Sequence, residues 1–240
     1  HVSFPTEETG ELLQASHERE RTAAAMSIRA ILEPRSVAVV GASRTPGTIG
    51  AILVSNLKRD GFKGPIYPVN PKAAEVAGLR AYPCVSAIRE PVDLAIVAVP
   101  APAVEEVLAD CARAGVRGVV VISAGFAEVA GGGREAEKRL VSLVRGSGMR
   151  MVGPNCMGVL NTSPEVSLNA TFAPGRPPAG NIGMSSQSGA LGIAILDYLE
   201  KLNLGISTFV SVGNKADVSG NDLIAYWAED PRTEVIVLYL

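Results

Sequence analysis

The stretch Val37-Ala-Val-Val-Gly-Ala-Ser-Arg-Thr-Pro-Gly-Thr-Ile-Gly50 decides the fold class. Its apolar start predicts a buried strand, the glycines Gly41, Gly47 and Gly50 predict a turn, and the residues that follow predict a helix over 48–60. Glycines let the backbone approach a phosphate, and a helix N-terminus offers free N–H groups and a favourable dipole. The stretch therefore predicts an anion site, with an ordinary strand-to-helix turn as the alternative. Its glycine spacing departs from the G-x-G-x-x-G dinucleotide fingerprint.

Strand-sized apolar runs and helical segments alternate on the C-terminal side of this stretch. The runs carry Val and Ile without polar alternation, which is typical of parallel strands covered by helices on both faces. We therefore predict an α/β protein, with a Rossmann-like, doubly wound parallel sheet followed by a truncated, flavodoxin-like second α/β domain. The predicted strands are 37–40, 66–69, 94–99, 119–122, 149–152, 181–185, 206–211 and 234–240. The predicted helices after the first are 102–114, 134–146, 188–201 and 221–229.

Composition shifts along the chain predict its domain organisation. The charged segment 1–34 indicates a surface helix and linker that follow an upstream domain, and 35–160 is the first α/β domain. Residues 161–178 hold four prolines and little periodicity, so we expect an interdomain linker there. The second domain occupies 179–240. Its last strand has no helix after it, which indicates truncation and, in the isolated chain, a tendency to pair or aggregate.

Composition also excludes several classes of protein. The 240 residues are 47% hydrophobic and 19% charged, so disorder over the whole length is excluded. A net charge of −2 predicts no general attraction for nucleic acid. No apolar run approaches the roughly 18 residues of a membrane span. The N-terminus shows no secretory signal. Three cysteines without CxxC spacing indicate packed thiols in a reducing cytoplasm and no metal site.

The end of the second predicted strand, Tyr67-Pro-Val-Asn-Pro-Lys72, bears on the type of ligand. A site for NAD places a carboxylate near this point to bind the ribose hydroxyls. Lys72, together with Arg44 in the first turn, instead suits a phosphate on the ribose, as in NADP and coenzyme A. A solvated lysine after a strand is the plainer alternative.

Six segments in this order resemble one family. Over residues 35–240 the chain is similar to the acyl-CoA synthetases that form a nucleoside diphosphate, relatives of the succinyl-CoA synthetase α subunit. The resemblance implies a CoA-binding domain followed by a flavodoxin-like domain. The matching segments are Gly41-Ala-Ser-Arg-Thr-Pro-Gly-Thr48, Val69-Asn-Pro-Lys72, Val97-Ala-Val-Pro-Ala-Pro102, Gly153-Pro-Asn-Cys-Met-Gly158, Ser186-Gln-Ser-Gly-Ala190 and Asp230-Pro-Arg-Thr-Glu-Val235.

The same resemblance implies roles for individual residues. Asn155 would face the thiol end, unless it only caps its turn. Lys72 would bind phosphate from the second strand. The residues that would line the CoA phosphates are Gly41, Ser43, Arg44, Thr45, Gly47 and Thr48. The residues that would lie against the nucleotide or pantetheine arm are Val99, Pro100 and Ala101. The residues that would hold the phosphate of phosphohistidine are Ser186, Ser188 and Gly189. A plain helix N-cap is the alternative for the serines.

Catalysis in this family passes phosphate through a histidine, which we expect beyond Leu240 together with a glutamate. His1 and His17 do not match that position, so no catalytic residue is predicted within the chain, which should bind CoA without completing a turnover. The resemblance places ATP or ADP with Mg²⁺ on an ATP-grasp domain or β subunit of the parent. The partners are then CoA and a short carboxylic acid, with acetate as the default. Homo-oligomerisation stays open.

Two other functions are alternatives. The leading segment resembles the linker of fusions that carry an N-acetyltransferase domain, so the chain would serve there as a CoA-sensing or acyl-CoA-sensing regulatory module. An NADP-dependent oxidoreductase is the third reading, but no Tyr-x-x-x-Lys is present to support it.

Overall fold

The computed structural model describes residues 10–240, with side chains from residue 18 onward except residue 20. The first sheet has five parallel strands in the order β2-β1-β5-β6-β7. These strands are β1 (Val37–Val40), β2 (Ile66–Val69), β5 (Leu94–Val97), β6 (Gly118–Val121) and β7 (Arg150–Val152). A two-stranded hairpin, β3 (Glu75–Val76) and β4 (Leu79–Arg80), lies between β2 and β5 in the chain, and the sequence patterns did not predict it.

Helices cover both faces of this sheet, as predicted. The helices of the first part are α1 (Gly10–Leu32), α2 (Ile49–Arg59), α3 (Ala101–Arg113) and α4 (Gly133–Gly146). Alternate residues of β1 point to opposite faces: Val37 and Val39 belong to the core that includes α1 and α2, and Ala38 and Val40 to the core that includes α3 and α4. The doubly wound arrangement is therefore confirmed.

The second sheet is mixed, with the strand order β12-β10-β11-β8-β9. Its strands are β8 (Gly158–Asn161), β9 (Leu168–Thr171), β10 (Ala179–Ser186), β11 (Ile206–Ser211) and β12 (Val235–Tyr239). Helix α5 (Gly189–Lys201) contributes Leu196 to the core on one face, and α6 (Gly220–Glu229) contributes Tyr226 and Trp227 to the other. Strand β12 pairs with β10 at the sheet edge, and its five residues are exposed.

The region predicted as an interdomain linker, 161–178, contains regular structure. Strand β9 pairs antiparallel with β8, and β8 pairs antiparallel with β11, so the second sheet already begins at residue 158. Both strands are fully buried although they contain polar residues. Asn161 donates to the Leu32 carbonyl at 2.8 Å and Asn169 donates to Asp60 at 2.6 Å. These tertiary hydrogen bonds satisfy buried polar groups that made the segment look like a loop.

The leading helix α1 is also more than a surface helix and linker. Its last two turns bury Ala25, and they bury Ile28, Ile31 and Leu32 in one core with residues of both sheets. Burying that many apolar side chains favours the packed state by several kcal/mol, at about 25 cal/mol per Å². Residues 1–9 and the side chain of His17 lie outside the described part of the chain.

A charged cluster joins the two sheets near β7. The buried carboxylate of Asp217 accepts from Arg145 at 2.9 Å, from Arg150 at 3.0 Å and from the Met151 backbone N–H at 2.9 Å. Arg150 also reaches Asp222 at 3.0 Å. Together with the shared apolar core, these contacts set the loops of the second sheet against those of the first. Across residues 10–240, no helix is both long and apolar enough to cross a membrane.

Candidate functional site

A cavity of about 680 Å³ lies at the carboxyl ends of β1, β2 and β5. Helices α2 and α3 leave β1 and β5 toward opposite faces, so the cavity sits where the winding of the sheet reverses. Ligands of open α/β sheets bind at this switch point. Gly41 and Ser43 line one side of the cavity, Lys72 lines another, and Val99 and Pro100 line a third.

The turn between β1 and α2 is held in shape by its own backbone and hydroxyls. Gly41 has φ +90, and a Cβ there would collide with the backbone carbonyl of Ala98. The Thr45 N–H donates to the Ser43 hydroxyl at 3.1 Å, and the Thr48 hydroxyl donates to the Thr45 carbonyl at 2.8 Å. Thr48 precedes α2 but makes no side-chain cap to it. The first N–H groups of α2 are therefore left to other acceptors.

The end of β2 is tied to this turn by Asn70. The Asn70 amide donates to the Ala42 carbonyl at 2.7 Å and accepts from the Lys72 N–H at 2.8 Å. Lys72 and Arg44 are exposed, and within the described residues neither side chain makes an ion pair or hydrogen bond. Two cations are thus available near a helix start without a protein carboxylate to neutralise them, which favours an anionic ligand.

The far end of the first cavity is built around a carboxylate. Asp110 on α3 accepts from the Val85 N–H at 2.7 Å and the Ser86 hydroxyl at 2.6 Å, and Arg113 lies 3.1 Å from it. Burial would raise the pKa of Asp110, but the hydrogen bonds from Ser86 and Val85 outweigh burial and lower it. The carboxylate is therefore ionised and fixes the loop that closes this end.

A second cavity, of about 720 Å³, lies between the two sheets and shares Ala98 and Val99 with the first. Its wall includes Ile49, Phe172 and Ile193, from elements of both domains. Cys156 also lines it, but its thiol donates to the Val121 carbonyl at 3.3 Å. Burial raises the pKa of this thiol to about 12, so it is not a nucleophile near neutral pH.

The start of α5 forms one edge of the second cavity, and Asn155 forms another. The Ser188 hydroxyl caps α5 by accepting from the Leu191 N–H at 3.3 Å. Ser186 is fully buried, and its hydroxyl donates to the Ser188 carbonyl at 2.8 Å. Ser186 thus stabilises the turn from its buried side, while Ser188 and Gly189 line the cavity.

The structure brings most of the expected residues to one continuous groove. Those that line it are Gly41, Ser43, Lys72, Val99, Pro100, Asn155, Ser188 and Gly189. Those that do not are Arg44, Thr45, Gly47 and Thr48 in the exposed turn, Ala101 in the first turn of α3, and the buried Ser186.

Two contributors were missed by sequence reasoning. Asn70 lies inside a motif of which only the lysine received a role, although an Asn that precedes Pro is a common turn-forming residue. Asp110 falls three residues after Val107 and next to Cys111, at the edge of the apolar stripe of α3. A carboxylate beside the buried apolar stripe of a helix could have indicated that Asp110 has a structural partner.

An open parallel sheet, a ligand cavity at its switch point and an uncapped helix start define an α/β protein of the nucleotide-binding class. Comparison with known families is more specific. The chain belongs to the CoA binding domain family, whose pattern matches residues 35–162, and residues 179–240 match the succinyl-CoA ligase like flavodoxin domain. The family predicted from the six motifs is confirmed.

Two similar proteins are ADP-forming ligases. The chain is 44% identical over 213 residues to the ADP-forming acetate–CoA ligase of Methanocaldococcus jannaschii, covering 89% of this chain and 29% of the relative. It is 42% identical to the α subunit of ADP-forming acetate–CoA ligase I of Pyrococcus furiosus, covering 90% and 47%. These 240 residues therefore span less than half the length of either relative.

A solved structure agrees with these relatives. The acetyl-coenzyme A synthetase 1 of Ca. Korarchaeum cryptofilum, in complex with phosphate and ADP, superposes with a TM-score of 0.85 at 46% identity, covering 89% of this chain and 45% of that one. The predicted fold class is thereby confirmed. A role as a module of a fused acetyltransferase finds no support in these comparisons.

Proposed function

We propose that the chain is the CoA-binding portion of an ADP-forming acyl-CoA synthetase, which joins a short carboxylic acid to CoA at the expense of ATP. The observation that carries the proposal is the pair of cavities joined at Ala98 and Val99. CoA is a nucleotide with a long thiol-ended arm, and a groove that has Lys72 in its first chamber and continues into a second chamber suits a ligand of that shape.

The first cavity would take the nucleotide end. Lys72 and Arg44 would pair with its phosphates, and the free N–H groups of α2 would donate hydrogen bonds to phosphate oxygens beside them. The loop that Asp110 holds would close over the base. Pro100 and Val99 would lie against the arm where it leaves the nucleotide.

The second cavity would take the thiol end. Asn155 and the α5 start, with Ser188 and Gly189, face each other across it, so the thiol would lie beside a helix N-terminus suited to a phosphate. In this proposal ATP, its Mg²⁺ and the phosphorylated histidine belong to other parts of a cytoplasmic parent, with an ATP-grasp domain or β subunit as partner. Acetate is the first acid to test.

Calorimetric titration of CoA into the chain tests the proposal. Lys72→Ala should weaken CoA binding about tenfold, because a charge-assisted contact to phosphate contributes roughly 1.5–3 kcal/mol. Dephospho-CoA, which lacks the ribose phosphate, should bind the unchanged chain more weakly than CoA. Lys138→Ala is the matched control, since this exposed lysine pairs with Glu135 on α4, away from both cavities.

Two results would contradict the proposal. Binding of NADP with no binding of CoA would assign the sheet to a redox enzyme. Equal loss of CoA affinity in Lys72→Ala and Lys138→Ala would remove Lys72 from the site. For the parent, the corresponding assay is CoA-dependent formation of ADP from ATP with acetate.

A further inference from the structure

A chain of four side chains leads from the second cavity to the surface of the first domain. Asn155, on the cavity wall, donates from Nδ2 to Oδ1 of Asn214 at 3.3 Å. Asn214 lies in the loop after β11 and donates from its own Nδ2 to Glu128 at 2.5 Å and to Glu137 at 2.7 Å. The Asn214 backbone N–H is anchored on the Pro154 carbonyl at 2.9 Å.

The two carboxylates determine which way the Asn214 amide faces. A carboxylate only accepts hydrogen bonds, so both hydrogens of Asn214 Nδ2 must point to Glu128 and Glu137, and Oδ1 must point away. The carboxylates are themselves fixed: Glu128 accepts from the Gly125 and Phe126 N–H groups and Glu137 accepts from Ala127 N–H at 3.3 Å. A flipped Asn214 would set its oxygen against two anionic oxygens.

The orientation of Asn214 then determines that of Asn155. Because Asn214 presents an oxygen, Asn155 must turn its Nδ2 toward it, and its own Oδ1 is left without a partner among the described residues. Asn155 has φ +57, a backbone conformation that Asn tolerates well and most residues do not, so its side chain starts from a restricted position. The amide therefore offers an acceptor, in a defined direction, at the wall of the second cavity.

We propose that Asn214, oriented by Glu128 and Glu137, is a positioning residue that makes Asn155 a hydrogen-bond acceptor for the terminal arm of CoA. The inference rests on the proposed function and deepens it. The donor on the ligand is an N–H of the arm or the thiol S–H. Both are absent from adenosine 3′,5′-bisphosphate, which keeps only the nucleotide end of CoA.

The experiment is a double-mutant cycle read with two ligands. Asn155→Ala and Asn214→Ala should each weaken CoA binding about 3- to 10-fold, the effect of losing one hydrogen bond. Binding of adenosine 3′,5′-bisphosphate should change less than twofold in both. The double variant should bind CoA no more weakly than Asn155→Ala alone, because Asn214 acts only through Asn155. Asn221→Ala, an exposed residue on α6, is the control.

Glu137→Gln provides a second, gentler variant. Its amide can donate to the Asn214 oxygen, so a flipped Asn214 would face one anionic oxygen, that of Glu128, instead of two. CoA binding should therefore weaken by a smaller factor than in Asn214→Ala, while thermal stability is kept. Desulfo-CoA separates the two donors: if it binds the unchanged chain as tightly as CoA does, and loses affinity in Asn155→Ala, the donor is an N–H of the arm.

The outcomes are separable. If the unchanged chain binds neither CoA nor the bisphosphate, the proposed function fails, and this inference with it. If both ligands bind but Asn214→Ala weakens them equally, or weakens neither, the positioning role is overturned while CoA binding stands. Additive losses in the double variant would likewise overturn it.

Discussion

The two helix starts that face the groove are built differently. At α2, the Thr48 hydroxyl donates backward to Thr45, and no side chain caps the helix. At α5, the Ser188 hydroxyl caps the helix by accepting from Leu191. Lys72 lines the cavity beside the first start. By contrast, the part of the chain that the structure describes places no lysine or arginine on the wall of the second cavity.

Under the proposed function, the difference predicts two kinds of anion site. A start with unpaired N–H groups and nearby cations gains the most from a ligand that is always charged, such as the phosphates of CoA. A start that satisfies one of its own N–H groups is stable without a ligand. Such a start suits a phosphate that is present during only part of a reaction cycle.

The largest effect is expected where the first turn approaches the sheet. Gly41→Ala should lower the free energy of unfolding by about 3 kcal/mol, because its φ of +90 is strained for alanine and the added Cβ collides with Ala98. Urea unfolding measures this change. Gly47→Ala, in the same turn at φ +80 but in open space, should cost only about 1 kcal/mol. Equal losses would show that backbone strain alone accounts for the cost at Gly41.

A smaller loss of stability is expected when the carboxylates behind the two cavities, Asp110 and Glu128, are neutralised. Asp110→Asn should cost about 1–2 kcal/mol at pH 7, because buried Asp110 accepts charge-assisted hydrogen bonds that a neutral amide accepts less strongly. Glu128→Gln should cost less, since Glu128 is exposed.

The pH dependence of the Asp110 effect has a defined sign. Its pKa in the folded chain is lowered, so its contribution is fully present above the ordinary Asp value of about 3.9 and is lost as pH falls through the folded pKa. The difference between the unchanged chain and Asp110→Asn should therefore shrink as the pH falls below about 4. A difference that grows on acidification would contradict the assignment.

The smallest loss of stability is expected when the hydroxyl at each of the two helix starts is removed. Ser188→Ala should cost about 1 kcal/mol of stability, the usual value of an N-cap. Thr48→Ala should cost less, because its hydroxyl caps nothing. Thermal unfolding of the two variants, side by side without ligand, decides the matter. A larger loss at Thr48 would reverse the comparison.

Local sequence was sufficient to predict the parallel sheet and the first turn. Runs such as Val37–Val40 are apolar on both faces of the strand, so they are stable only between two layers of helices. Gly41 and Gly50 follow at the positions where the backbone comes closest to its neighbours, and a Cβ on Gly50 would collide with the Gly41 carbonyl. The positions of these glycines in the sequence therefore already mark where the backbone must pass close to its neighbours.

Strands β8 and β9 could not be predicted in the same way. Their polar residues are buried because distant groups satisfy them, as the Leu32 carbonyl satisfies Asn161 and Asp60 satisfies Asn169. A single sequence does not reveal that partners more than 100 positions away will meet these groups. The burial of α1 has the same origin, since its apolar face is matched by α6.

Part of the candidate site could likewise be predicted from the sequence, and part could not. Lys72, Asn155 and the Ser188 turn are recognisable in the sequence because each lies in a short motif at the end of a strand, where chain direction alone places it at one edge of the sheet. Only the tertiary structure decided that the two cavities meet at Val99 and that Glu128 and Glu137 reach Asn155 through Asn214. The physical reason is the range of the interactions. Strand and turn preferences act over a few residues, whereas this pair of cavities and this hydrogen-bond relay need residues that are far apart in the chain to pack against each other.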